Sequence, residues 1–220
     1  MSTELNQIQI RVLGCLIEKQ LTTPDYYPLT LSALVNACNQ KSNRDPVLSL
    51  TDNDVLDAIN GLSDVNLARE KQIPHARVVK YEHKLSDTLT KQYDFDKKEL
   101  AVLTVLFLRG PQTPGEIRSR SNRMYNFATL DEVEETLHSL SEDKNEQYVK
   151  SLPRQPGRRE IRYTQLFGEQ NTLENTSEMM ATHISASVSN PSEIEEMRAE
   201  IAELRSELEE LKQIVDELIN

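Results

Sequence analysis

Apolar residues recur at intervals of three and four in two separate segments of the chain. They are Leu5, Ile8, Val12 and Leu16 in the first segment and Leu100, Leu103 and Leu106 in the second. Because an α-helix has about 3.6 residues per turn, this spacing places the apolar side chains on one helical face. Each segment is therefore predicted to form a helix with one buried face.

The two segments open two copies of one internal repeat. The matched stretches are residues 10–24 with 100–114, residues 42–44 with 121–123, which both read Ser-Asn-Arg, and residues 51–63 with 129–141. The first copy carries an insertion around residues 25–41. A match of this length indicates that one supersecondary unit occurs twice.

Each copy continues with two more predicted helices and a predicted hairpin. The second helices are predicted at residues 29–39 and 114–120, the third helices at residues 51–65 and 129–142, and the hairpin strands at residues 67–69 with 77–81 and 148–152 with 160–163. Thr51, Thr113 and Thr129 are typical N-cap residues, and Asp96 begins a capping box before the second copy. Turns rich in Pro, Gly and charged residues join the strands.

Three helices followed by a two-stranded hairpin is the plan of a winged helix, a variant of the helix-turn-helix. The predicted fold class is mainly α with small β-hairpin wings (α+β), arranged as two tandem winged-helix domains at residues 1–95 and 96–168. A helical bundle with irregular loops is the alternative.

The C-terminal segment carries a heptad pattern. Its apolar residues are Ile194, Met197, Ile201, Leu204, Leu208, Leu211, Val215 and Leu218. Position a is mostly β-branched, position d is mostly Leu, and three Glu at position g precede Arg or Lys at the next position e, which favours a parallel two-stranded coiled coil. We predict a coiled-coil dimerisation helix at residues 191–219 after a linker at residues 169–190. An amphipathic helix folded back on its own domain is the alternative.

Composition is typical of a soluble, helix-rich protein. Hydrophobic residues make up 37% of the chain and charged residues 28%, and no apolar run is long enough to cross a membrane. The first nine residues contain no basic residue, so no secretory signal is expected and the predicted location is the cytoplasm. Cys15 and Cys38 are too few for a disulfide framework and are expected to be reduced and structural.

The net charge of −11 is concentrated in the tail. Residues 1–168 contain 22 Lys and Arg against 23 Asp and Glu, whereas residues 169–220 contain 3 against 13. The body of the protein is therefore nearly neutral. Whether it can bind a polyanion depends on individual patches rather than on the overall charge.

The sequence contains no catalytic or cofactor-binding pattern. His75, His83, His138 and His183 lack metal-ligand spacing, and no glycine-rich phosphate loop or nucleophile motif occurs. The run of acidic residues at 131–135 is more typical of a solvated helix face than of an acid and base pair. We expect no enzymatic activity, no cofactor and no metal.

The positions of the basic residues favour contact with the DNA backbone. The third helices contain several Asp and Glu but no Lys or Arg, which disfavours insertion into the major groove. Residues 150–162 of the second hairpin carry five Lys or Arg against one Glu, a net charge of +4. The candidate DNA-binding residues are Lys41, Asn43, Arg44, Arg118, Arg120, Asn122, Arg123, Lys150, Arg154, Arg158, Arg159 and Arg162.

Two motifs resemble the YceH family of uncharacterised bacterial proteins: residues 11–20, RVLGCLIEKQ, and residues 23–28, TPDYYP. The resemblance continues through residues 38–46 and 152–157 and covers about residues 8–168. It implies a tandem winged-helix protein of bacterial origin. It supplies no functional residue to transfer to this chain.

Two functions from different classes remain open. The first is a dimeric DNA-associated protein, a regulator or architectural factor, that contacts double-stranded DNA through the second hairpin and the paired Ser-Asn-Arg turns, with the coiled coil forming the homodimer. The alternative is a protein-interaction adaptor that binds a basic protein through the acidic third helices, by analogy with tandem winged-helix subunits of chromosome-condensing complexes. No membrane partner is expected.

Overall fold

The structure is a computed structural model that describes residues 4–72, 78–86, 93–143, 146–154 and 160–168. The predicted linker and coiled coil lie outside the described residues. Over the described ranges, no helix combines the length and the apolar character needed to cross a membrane.

The first repeat contains three helices and a three-stranded sheet. In chain order its elements are α1 (Gln7–Thr22), a short 3-10 helix (Pro24–Tyr26), β1 (Leu29–Thr30), α2 (Leu31–Cys38), α3 (Asp52–Asp64), β2 (Ala68–Lys71) and β3 (Lys80–His83). The strands are antiparallel in the order β1, β3, β2, with Leu29 opposite Tyr81 and Ala68 opposite His83.

The second repeat has the same order of helices and a two-stranded antiparallel sheet. Its elements are α4 (Lys97–Arg109), α5 (Pro114–Ser121), α6 (Leu130–His138), which continues as a π-helical segment (Ser139–Asp143), β4 (Val149–Ser151) and β5 (Tyr163–Gln165). Gln112 forms an antiparallel bridge with Tyr163 through two backbone hydrogen bonds of 2.8 and 3.0 Å. This bridge occupies the place in the chain that β1 has in the first repeat.

Side-chain caps determine where the helices begin. Thr51, Asp96 and Thr113 each form a capping box with the third residue of the following helix, and Thr129 accepts a hydrogen bond from the Glu132 N–H. These caps satisfy N–H groups that have no partner within the first helical turn. All four helix starts predicted from these residues are confirmed.

The first helices of the two repeats pack against each other within one core. The residues Val12, Leu13, Leu16, Leu103 and Leu106 are at most 1% exposed. Cys15 and Cys38 are free thiols in the same core. Close packing of α1 against α4 fixes the positions of the loops at the ends of both helices. The predicted boundary between residues 95 and 96 stays a prediction.

The mixed α+β class is confirmed, since the described residues form six α-helices and small antiparallel strands. Several predicted boundaries are wrong. In the first hairpin β2 extends to Lys71, and β3 covers Lys80–His83 rather than residues 77–81. The strand β1 replaces the predicted first turn of the second helix, because Thr30 caps α2 by accepting a hydrogen bond from Ala33. Leu5 precedes α1 and forms a bridge with Gly168 instead of lying on the helix. The last strand begins at Tyr163 rather than at residue 160.

Candidate functional site

The repeated Ser-Asn-Arg sequence forms two turns, the first turn at residues 42–44 and the second turn at residues 121–123. The first turn follows α2, and the second turn lies at the end of α5, where the Met124 N–H donates to the Ser121 carbonyl at 2.7 Å. Asn43 has a φ of 60°, a left-handed conformation in which Asn is enriched. Each turn thus lies between the second and the third helix of its repeat.

A buried arginine holds the segment that contains the first turn. Arg11 of α1 donates from Nη2 to the Pro46 carbonyl at 2.6 Å and from Nη1 to the Cys38 carbonyl at 3.3 Å. Because these carbonyl groups lie on either side of the turn, the two bonds fix both of its ends. The turn is presented as part of the folded core rather than as a free loop.

The structure corrects one candidate DNA contact, because the Arg44 side chain is fully buried. Its guanidinium donates to both carboxylate oxygens of Glu18, at 2.6 and 3.1 Å, and to the Ala37 carbonyl, at 3.0 and 3.2 Å. Its Nη2 also lies 3.5 Å from Cys15 Sγ. Arg44 therefore holds the turn in place and is not available to a phosphate. The sequence feature that could have indicated the burial of Arg44 is Glu18, an acidic residue on the buried face of α1.

The ion pair with Arg44 also sets the charge of Glu18. Burial alone would raise the pKa of Glu18, but the hydrogen bonds and positive charge of Arg44 outweigh burial, so this pKa lies below its ordinary value. Lys19 Nζ adds a second contact at 3.2 Å. The Glu18 carboxylate is thus ionised and paired at neutral pH.

Arg123 is the counterpart of Arg44 in the second repeat, and it is exposed. The repeat alignment places Leu108 where the first repeat has Glu18 and Val105 where it has Cys15. Because Leu108 offers no carboxylate, Arg123 has no equivalent internal partner. Within the described ranges its side chain makes no hydrogen bond or ion pair.

Both turns line one cleft, with a volume of about 720 Å³. Its lining includes Lys41, Asn43, Arg109, Arg120, Asn122 and Arg123. The Arg109 guanidinium donates to the Asn43 side chain, and the Asp45 N–H donates to the Leu108 carbonyl at 2.9 Å. These bonds join the first turn directly to the end of α4. The lining of the cleft includes both Asn43 and Asn122, which are 79 positions apart and are matched in the repeat alignment.

The cleft is strongly cationic. Five of its lining residues are basic, namely Lys19, Lys41, Arg109, Arg120 and Arg123, and its one carboxylate is that of the paired Glu18. Burial, together with the charges of Arg120 and Arg44, lowers the pKa of Arg109, with Asp45 and Glu18 opposing in part. Positive groups therefore repel one another in this cleft, and a bound anion would relieve the repulsion.

Two of these cleft residues were missed by the sequence analysis. Lys19 and Arg109 lie in the matched stretches 10–24 and 100–114, and neither was assigned a role from the sequence. They occupy equivalent positions in the repeat alignment. A positive charge at the same position of both repeats was the sequence feature that could have identified them.

Two further candidates are exposed but already have partners. Arg118 donates to the Phe127 carbonyl at 3.3 Å and to the Ala128 carbonyl at 2.6 Å, so it supports the segment before α6. Arg120 forms an ion pair with Glu116 at 3.2 Å and also donates to Gln112. Both keep their positive charge at the surface, although part of their donor capacity is used.

The candidates of the second hairpin are only partly described. Arg154 is exposed, whereas Lys150 on β4 and Arg162 are half-buried. Arg158 and Arg159 lie outside the described residues. Arg154 is therefore the exposed cation among the candidates in the described part of the hairpin.

The third helices expose carboxylates, as their sequences predict. Asp52, Asp57 and Asp64 of α3 and Asp131, Glu134 and Glu135 of α6 are exposed and form no ion pair among the described residues. Glu132 differs, because Lys98, at 2.7 Å, together with the Ala128 N–H and Tyr125, lowers the pKa of Glu132 to about 2. Two acidic helix faces therefore remain unpaired.

Comparison with known proteins identifies relatives over most of the chain. The family described as "Protein of unknown function, DUF480" matches residues 5–158. A UPF0502 protein of Aliivibrio fischeri (strain MJ11) is 51% identical over 162 residues, which cover 74% of this chain and 75% of that protein. A UPF0502 protein of Aliivibrio salmonicida (strain LFI1238) is 45% identical over 203 residues, which cover 88% of this chain and 92% of that protein.

Proposed function

We propose that this chain, which belongs to the DUF480 family of proteins of unknown function, is a dimeric DNA-associated protein that contacts the phosphate backbone. The family membership confirms the resemblance to an uncharacterised bacterial family. The proposed function rests on the chain's own residues.

The order of elements supports the finer interpretation of each repeat as a winged helix. In the first repeat a helix, a short strand, two helices and two strands follow one another, and the short strand β1 pairs with the last strand β3. The second repeat has the same order, with the bridge between Gln112 and Tyr163 in place of the short strand. Because one fold supports many functions, this interpretation alone does not select DNA as the partner.

The observation that carries the proposal is the convergence of both repeated turns on one cationic surface. Lys41 and Arg123 are exposed and have no partner within the described residues, and Arg120 lies beside them in the same cleft. Exposed Lys and Arg attract phosphates and release counterions from DNA. Arg154 on the second hairpin extends the set of exposed cations.

Contact with the backbone fits the charges better than insertion of a helix into the major groove. The exposed carboxylates of α3 and α6 would approach the phosphates that border the groove, which is unfavourable. Backbone contacts position a protein on DNA and carry little sequence information directly. We therefore expect binding with weak sequence preference.

The second candidate function is an adaptor for a basic protein. The unpaired carboxylates on α3 and α6 favour this function, because an exposed surface of negative charge attracts a positively charged partner. DNA binding ranks first because the cations of two separate repeats lie in one cleft.

The homodimer belongs to the same proposal. The heptads from Ile194 to Leu218 predict that the full chain sediments as a dimer, whereas a chain ending at Gly168 sediments as a monomer. Analytical ultracentrifugation of both proteins tests this prediction. Two monomers, or two dimers of equal stability, would show that the coiled coil is not the dimerisation element.

Charge variants of the full chain distinguish DNA from a basic protein as the partner. Replacing Arg154, Arg158 and Arg159 with Ala should make the slope of log affinity against log salt shallower by up to about three units. Each lost phosphate contact reduces the magnitude of this slope by about 0.9. Fluorescence anisotropy with a labelled duplex at several salt concentrations measures the slope. Sequence preference should change little.

The matched control is the triple variant in which Asp131, Glu134 and Glu135 become Ala. Its affinity for duplex DNA should stay unchanged or rise, because those carboxylates repel phosphates. Glu132 is left intact because its carboxylate pairs with Lys98. Unchanged DNA binding by the arginine variant, combined with lost binding by the acidic variant, would contradict the proposed orientation.

A further inference from the structure

We propose that the cleft between the two turns binds a small phosphorylated molecule with an organic body, such as a mononucleotide. This inference goes beyond the proposed function, because it concerns a ligand that enters the cleft rather than DNA that lies on the surface. Its basis is the combination of space, unpaired cations and an apolar floor in one place.

The cleft has the size of a small-molecule site. Its volume of about 720 Å³ lies within the range of about 300 to 1,000 Å³ that is typical of ligand pockets. Val105 and Leu108 of α4 form part of its lining together with Met124. Only 3% of Val105 and Leu108 and 8% of Met124 is exposed, so together they offer a narrow apolar strip to the body of a ligand. Met adapts readily to different shapes.

Two cations of the cleft have capacity for a phosphate. Lys41 and Arg123 come from different repeats, line the same cleft and have no hydrogen bond or ion pair among the described residues. Arg109 and Lys19 add positive charge but are engaged with Asn43 and Glu18. A phosphate within reach of both Lys41 and Arg123 would receive charge-assisted hydrogen bonds from both repeats.

The differences between the repeats create this site. In the first repeat Glu18 neutralises Arg44 inside the fold. In the second repeat Leu108 occupies the position of Glu18, so Arg123 stays free and Leu108 itself becomes part of the floor. The single difference of Leu108 in place of Glu18 thus leaves Arg123 unpaired and places an apolar side chain in the lining of the cleft.

The depth of the cleft favours a small ligand over a duplex. The lining runs from the exposed Lys41 and Arg123 to Leu108 and Met124, which are buried except for 3% and 8% of their surface. A duplex can meet the exposed Lys41 and Arg123 from outside, but it is too wide to enter the cleft as far as Leu108 and Met124. A molecule of a few rings can enter that far.

Isothermal titration calorimetry of the full chain without DNA tests the inference. The probes are adenosine 5′-monophosphate, adenosine and inorganic phosphate. The monophosphate should bind saturably. Adenosine and phosphate should each bind at least about tenfold more weakly, because adenosine lacks the contacts with the cations and phosphate lacks the contacts with the apolar lining. Equal affinity for inorganic phosphate and the monophosphate would overturn the role of the apolar floor.

Two variants locate the binding. Lys41→Ala and Arg123→Ala should each weaken binding of adenosine 5′-monophosphate by about tenfold or more, since each removes a charged donor. The control is Lys97→Ala, which removes an exposed lysine of α4 that does not line the cleft, and it should leave the affinity unchanged. Circular dichroism confirms that each variant is folded. No saturable binding at millimolar monophosphate, or equal loss in all three variants, would overturn the inference.

Discussion

Replacing Arg44 with Ala is expected to lower the free energy of unfolding by about 3 to 5 kcal/mol, the cost of breaking a buried ion pair by removing one partner. The variant leaves the buried Glu18 carboxylate with only the partly exposed Lys19 as a cation and leaves the Ala37 carbonyl without the Arg44 donors. Urea unfolding followed by circular dichroism measures the loss. The full loss should appear at neutral pH, where Glu18 is ionised.

The second repeat provides the matched control for Arg44. Arg123→Ala removes the equivalent side chain, but Arg123 is exposed and unpaired within the described residues, so its stability should change by no more than about 0.5 kcal/mol. The double variant Glu18→Gln with Arg44→Met should lose less than Arg44→Ala, because no buried charge is left alone. Equal losses for Arg44→Ala and Arg123→Ala would contradict the assignment of Arg44 to the interior.

The same pair makes stability depend on pH in a defined direction. The pKa of Glu18 is lower in the folded chain than in the unfolded chain, because Arg44 stabilises the carboxylate. Its contribution is therefore complete above the unfolded pKa, about 4.3, and is lost as the pH falls through the lower folded pKa. The wild type should lose this part of its stability in acid, whereas Glu18→Gln should not.

Replacing Gly14 with Ala is expected to lower the free energy of unfolding by about 1 to 3 kcal/mol, the usual cost of overpacking a core. A Cβ at Gly14 would lie 2.9 Å from Phe107 Cβ and 2.9 Å from Leu108 Cδ2. The Phe107 Cβ is attached to the backbone of α4, so α1 and α4 would have to separate. Thermal or urea unfolding measures the change.

Gly115→Ala is the matched control for Gly14→Ala. Both glycines lie in helices, but a Cβ at Gly115 meets nothing within 4 Å. Because Ala favours a helix by up to about 1 kcal/mol over Gly, Gly115→Ala should leave stability unchanged or increase it. A gain in stability for Gly14→Ala as well would mean that α1 and α4 do not approach as closely as the structure has them.

The sequence predicted the helices well because their signals are local. Thr51, Asp96, Thr113 and Thr129 each mark a helix start through hydrogen bonds to the next turn of the chain. The strand β1 was missed because a two-residue strand has no periodicity of its own. It exists through pairing with β3, which is about 50 residues away in the chain and invisible to a local pattern.

The candidate site was predicted in part. The repeated Ser-Asn-Arg turns were identified from the alignment, and the structure places both beside one cleft. The burial of Arg44 was not predicted, because it depends on Glu18, 26 residues away, turning inward to meet it. Local composition cannot distinguish Arg44 from Arg123, whereas comparison of Glu18 with Leu108 across the repeats can.

The salt dependence of duplex binding by the wild-type full chain tests the central claim most directly. If about four to six Lys or Arg contact phosphates, log affinity should fall linearly with log salt with a slope of about −4 to −5. Fluorescence anisotropy with two labelled duplexes of different sequence gives the slope and the sequence preference together. The account predicts a steep slope that is similar for both duplexes. A slope near zero, or no binding at low salt, would contradict it.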